Sequence, residues 1–188
     1  MKMNEAAVVP TSILLDSIDR DHATGMCGDV VVQVWAGAVT PAMVEALIAS
    51  VRACDRSDTD GVAVLLVTQP EAPTRMTRAT ARTIAAQLDA VSPRVRALAI
   101  SMSGAGLQRW IRSGLLRSIS MSARARSLRT FAALDEAVTW IADDLQCTRT
   151  DEQLRRAVAE LEQRIERCRQ APPRPANSST VTLPANTG

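Results

Sequence analysis

Gly61-Val-Ala-Val-Leu-Leu-Val-Thr68 is the stretch on which the fold turns. Every residue from Val62 to Val67 is apolar, so a strand here has no face to offer to water. Residues 55–61 form a polar approach to it, and Gln69-Pro-Glu-Ala-Pro73 stops it. Val95-Arg-Ala-Leu-Ala-Ile-Ser-Met102 repeats the pattern. Helical periods follow each run: Thr80, Ile84, Leu88 and Val91 after the first, then Leu107, Trp110, Ile111 and Leu115 after the second. Short buried strands alternating with amphipathic helices specify an α/β domain with crossover connections.

Working outward from this centre, Ser12 to Ile18 reads as a first strand and Val30 to Trp35, with its β-branched run, as a second. Residues 19–25 read as a turn that Gly28-Asp29 closes. Thr40-Pro41 is a helix start, with Thr40 as N-cap and Pro41 at the first helical position. Met43, Val44, Leu47, Ile48 and Val51 then share one face. Leu128 and Phe131 mark a short last strand, and Leu134, Ala137, Val138 and Ile141 a fourth helix. The expectation is a mixed sheet of about five strands with about four helices over residues 12–145, preceded by a flexible leader at 1–11.

A different pattern begins at Thr150-Asp-Glu-Gln153, which has the form of a capping box. Leu154, Val158, Leu161, Ile165 and Cys168 recur at 4-3-4-3 spacing. That is the a/d pattern of a coiled coil, sustained for about two heptads. With the sheet domain already complete, this amphipathic helix at 150–170 is expected to use Leu154, Val158, Leu161 and Ile165 as an interface with another protein or a second copy. Residues 171–188 are Pro, Ser, Thr, Asn and Ala without periodicity, and are expected to be a disordered tail.

Composition narrows the function classes. The aromatic residues are Trp35, Trp110, Trp140 and Phe131 only, so aliphatic residues must build the core. One lysine stands against 21 arginines, a usage that fits a GC-rich genome. Charge is segregated: net −6 over residues 1–71, +10 over 72–134 and −2 over 135–188. The central arginines can meet an anionic partner or be neutralised by the acidic ends of the same chain. Arg109, Arg112 and Arg117, with Ser103 at a strand-to-helix turn, are the candidate anion contacts. No stacking aromatic accompanies them, which argues against nucleic acid. Four scattered cysteines and a single histidine, His22, form no metal-ligand spacing. No cofactor fingerprint is present, and no catalytic residues are assigned. His22 shows no nucleophile or orienting acid at a telling spacing. Without an apolar targeting segment or a membrane-length run, a cytoplasmic location is expected.

Ser127 to Ile141 adds a resemblance. A short strand, an aromatic residue (Phe131), an acidic helix start (Asp135-Glu136) and a Trp-apolar pair (Trp140-Ile141) resemble the close of SpoIIAA-like STAS domains, the STAS/SEC14-type family. The segment Ala97 to Trp110 is similar to the family as well. The resemblance implies a non-catalytic bacterial regulatory or scaffold module that binds other proteins. It also implies a phosphorylation switch at the helix after the third strand. Thr74 and Thr77 are the nearest hydroxyls there, but the family's Asp-Ser pair is missing, and ordinary turn and cap roles are the favoured reading of both threonines. Some relatives enclose apolar ligands, so a small-molecule or lipid site between sheet and helices is the alternative.

Overall fold

A computed structural model describes residues 13–54, 61–72, 82, 83, 86, 87, 92–102, 127–144 and 150–171. They form one six-stranded mixed sheet with helices on both faces. The strands are β1 (Leu14–Ile18), β2 (His22–Cys27), β3 (Val30–Trp35), β4 (Val62–Thr68), β5 (Val95–Met102) and β6 (Ser127–Phe131). They lie in sequence order across the sheet. β1, β2 and β3 are an antiparallel meander, and β3 to β6 run parallel. The described helices are α1 (Pro41–Cys54), α2 (Leu134–Asp144) and α3 (Asp151–Gln170).

The α/β class and the mixed sheet agree with the sequence. The strand count does not: β2 occupies residues read as a turn. His-Ala-Thr-Gly-Met-Cys lacks a β-branched run, so its local preference for a strand is weak. It is a strand because both neighbours pair with it, Ala23 with Val34 and Ile18, Thr24 with Gln33 and Ser17. Gly28, at φ 66°, and Asp29 make the two-residue turn into β3. A positive φ at the first turn position suits glycine because it has no Cβ to clash. The helical periods at 76–91 and 105–118 lie outside the described residues, except that 82, 83, 86 and 87 are helical. The leader and the tail lie outside them too.

Register sorts the core into two layers. Val31, Val64 and Leu98 align on one face, as do Gln33, Leu66 and Ile100. These pack with Met43, Val44, Leu47, Ile48 and Val51 of α1. Val32, Leu65 and Ala99 align on the other face, under α2 and α3. The small side chains Ala63, Ala97 and Ala99 let α2 approach β4 and β5 closely; Ala137, Val138 and Ile141 are completely buried there. Trp35 and Trp140 are both buried, one on each face.

The caps expected from sequence are present. The Thr40 Oγ1 accepts from the Met43 N–H at 3.3 Å. The Thr150 Oγ1 accepts from the Gln153 N–H at 3.3 Å, and the Gln153 Oε1 accepts from the Thr150 N–H at 3.1 Å. That reciprocal pair satisfies two donors that a helix start leaves open.

The heptad helix is where the structure departs most from expectation. Leu154, Ala157, Val158, Leu161 and Ile165 are buried against β2 and β3 and beside α2. They share one cluster with Val30, Val32, Val34, Leu65 and Val67. The reading of Leu154, Val158, Leu161 and Ile165 as a protein interface is therefore corrected. The physical reason is the sheet itself: α2 covers β4 to β6, and the apolar face of β2 and β3 would otherwise be open to water. The helix supplies the missing roof.

Leu161 has no exposed surface. Truncating it to alanine is expected to destabilise the whole domain by about 2–5 kcal/mol. Chemical denaturation followed by circular dichroism measures this. A midpoint equal to that of the wild type would contradict the packing.

Candidate functional site

The described residues with the densest polar chemistry surround the β1–β2 turn. Asp19 begins it. Its Oδ1 accepts from the Asp21 N–H at 2.7 Å and from the His22 N–H at 2.8 Å. This is the short-range turn geometry that Asp favours, its carboxylate holding backbone donors two and three residues on. Its other oxygen lies 2.8 Å from His22 Nδ1. The His22 Nε2 lies 3.3 Å from the Ser17 Oγ. The imidazole is buried, whereas the carboxylate is 55% exposed. The Nδ1–carboxylate approach is a close charge contact without hydrogen-bond alignment, so Nδ1 has no hydrogen-bond partner among the described residues, and the direction of the Ser17–Nε2 bond follows the ring tautomer.

Sequence inspection finds no orienting acid or nucleophile for His22. The hairpin brings one of each to it within six residues. The signal that could have exposed this was Asp19 itself, three residues before His22 and able to fold back on its own backbone. Hydroxyl, imidazole and carboxylate in one chain is also the order of a nucleophilic relay. Here the carboxylate accepts from two backbone N–H groups, so it fixes the turn.

Other elements converge on the same turn. The Asp21 carbonyl accepts from the Ala36 N–H at 2.7 Å and the Gly37 N–H at 2.9 Å. A Cβ on Gly37 would sit 2.4 Å from the Asp21 carboxylate, so glycine is required by close approach. Arg169, in the last turn of α3, donates to the Arg20 carbonyl at 2.9 Å and the Ala36 carbonyl at 2.8 Å. Arg20 returns the contact by donating to the Ala171 carbonyl at 2.9 Å. The two arginines thus tie the end of α3 to the turn and to the end of β3.

Beside this, on the α1 face, lies a buried polar row. Gln33 has no exposed surface; its Nε2 donates to the Thr24 Oγ1 at 2.7 Å and to the Met43 carbonyl at 2.8 Å. Its Oε1 has no hydrogen-bond partner. Nor has the buried Thr68 Oγ1, one strand over. Thr68 pairs with Trp35, two positions beyond Gln33 on the same face. Both lie toward the C-terminal ends of parallel strands, where open α/β sheets carry their ligands.

The far edge of the sheet holds the residues that carried the family resemblance. Phe131 of β6 lies 5.6 Å from Trp140 of α2, centroid to centroid. The Arg129 guanidinium sits 5.2 Å over the Trp140 ring. Arg155 of α3 reaches back to Asp135 at 2.6 Å. That hydrogen bond pushes its guanidinium further above an already high value, so it stays charged.

Thr74, Thr77, Ser103, Arg109, Arg112 and Arg117 lie outside the described residues. One central arginine does neutralise an acid of the N-terminal third, since Arg96 pairs with Asp29. Among the described residues no cluster of His, Cys, Asp or Glu could hold a metal ion, and no helix is long and apolar enough to cross a membrane. No family model matches the chain, and no curated protein matches it significantly.

Replacing Asp19 with alanine leaves two backbone donors without their acceptor. The expected cost is about 1–3 kcal/mol, with the Asn variant intermediate because its amide oxygen still accepts. Thermal and chemical denaturation of both variants check the order.

Proposed function

We propose that the chain is a non-catalytic regulatory or scaffold module of the SpoIIAA-like STAS type that acts by reversible protein–protein contact in the cytoplasm. The observation that carries this is the way the sheet is enclosed. Helices roof both faces of the described sheet, and among the described residues the strands at its two ends, β1 and β6, each pair on one side only. Strand edges are surfaces to which another polypeptide adds. The order of β6, its Phe131, the acidic start of α2 and the Trp140-Ile141 pair supports the family resemblance. Cys27, Cys54 and Cys168 form no disulfide with one another among the described residues, which fits a reducing compartment.

The outer face of α3 is a poor contact surface by comparison. Arg156 and Arg164 each pair with a glutamate one turn earlier, as solvated helix faces do. Binding is therefore assigned to the sheet edges and not to the heptad stripe.

Small-molecule binding is the second reading, favoured by the unpartnered Gln33 Oε1 and Thr68 Oγ1. A ligand donating a hydrogen bond on the α1 face would satisfy Gln33.

Affinity capture from host cells with the full chain tests the first reading. A specific protein retained by the wild type and lost with Arg129→Asp is the expected result. No retained protein, together with a thermal shift of the wild type by a small metabolite that Gln33→Leu abolishes, would favour the second reading.

A further inference from the structure

We propose that the chain assembles with itself head to tail, β6 of one copy adding to the outer edge of β1 in the next, an edge that pairs with no described residue. This names the surface and the partner for the protein-binding reading above, and it rests on that reading.

Direction permits it. β1 is antiparallel to β2, which is antiparallel to β3, and β3 to β6 are parallel. β1 and β6 therefore point the same way. A second copy displaced sideways along the sheet, without turning over, sets β6 beside β1 as a parallel pair. Each helix layer then continues the layer of its neighbour. Both edge strands are five residues long.

Side chains on the two edges are complementary. Leu14 is the one large apolar side chain that is exposed among the described residues, at 64%. It pairs with Met26, and Met26 with Val31, which places it on the α1 face. Leu128 of β6 aligns with Leu98 and lies on that same face, only partly buried. Sideways addition brings the two leucines to one side of the new pair.

Charge selects the match. Between Leu15 and Ser17 the β1–β2 register shifts, leaving Asp16 as the extra, exposed residue of a bulge. Asp19 and Asp21 follow at the adjoining turn, both exposed. A bulge with a carboxylate protects an edge from unselective pairing. It does not exclude a strand that carries a cation. Exposed Arg129 is that cation on β6, held over Trp140. Neither Asp16 nor Arg129 has an ion pair among the described residues. β1 against β1 would set carboxylate against carboxylate, and β6 against β6 guanidinium against guanidinium, so unlike edges meet. The contact is heterologous, and it makes a ring or an open filament according to its rotation.

Sedimentation velocity and light scattering over a concentration series test this with the full chain. The wild type is expected to form oligomers that grow with concentration. Asp16→Arg and Arg129→Asp are each expected to weaken assembly about tenfold or more, since each sets like charges together. An equimolar mixture of the two variants is expected to assemble again, because each then offers an edge that the other complements. Circular dichroism confirms that both stay folded. A wild type that remains monomeric at every concentration overturns the inference, and so does a pair of charge variants that assemble as the wild type does. If that monomeric wild type still captures a foreign protein, self-assembly fails while the protein-binding reading stands.

Discussion

Everything in this fold depends on the burial of one helix stripe. β2 and β3 present Ala23, Val30, Val32 and Val34 on a face that α2 does not reach. Leu154, Val158, Leu161 and Ile165 cover it. Each of these is buried to within a few percent of completely. Removing the helix would open the apolar side of β2 and β3, the first of which is weakly disposed to be a strand. The meander and α3 are therefore one cooperative unit. Arg169 and Arg20 add directed bonds at the end where helix and turn meet. Those bonds set the position of the helix; apolar burial supplies most of its stability.

This dependence explains which parts of the fold were legible. β4 and β5 are buried on both faces, and the apolar runs Val62 to Val67 and Ala97 to Ile100 state as much. Thr40-Pro41 and Thr150 to Gln153 are local cap signals, and the caps form as written. β2 was not legible, because its strand character comes from neighbours and not from its own residues. Its Gly25 and Thr24 read as turn chemistry until β1 and β3 flank them. The heptad spacing was legible as an amphipathic helix, but periodicity is silent about what covers the stripe. A coiled-coil partner and the chain's own sheet demand the same pattern. What decides is the count of uncovered strand faces, which requires the topology.

The site follows the same division. Asp19 stands three residues before His22, the one local signal, while Ser17 is brought to the ring only by the hairpin. Gln33 looks like an interruption in Val-Val-Val-Gln-Val-Trp, and on a surface strand it would be unremarkable. Buried on both sides, it must find partners, and it takes Thr24 and the α1 backbone. Arg129 is one arginine of the basic stretch at 72–134, and its place over Trp140 on the edge strand β6 is something that charge counting does not show.

Hydrogen exchange measured residue by residue tests the central claim most directly. If α3 belongs to the core, amides in the middle of α3, around Val158 and Leu161, should open only with global unfolding, sharing the protection of β4 and β5. Fast exchange through those residues, with β4 and β5 still fully protected, would show a helix that detaches from a domain complete without it, and would contradict the account.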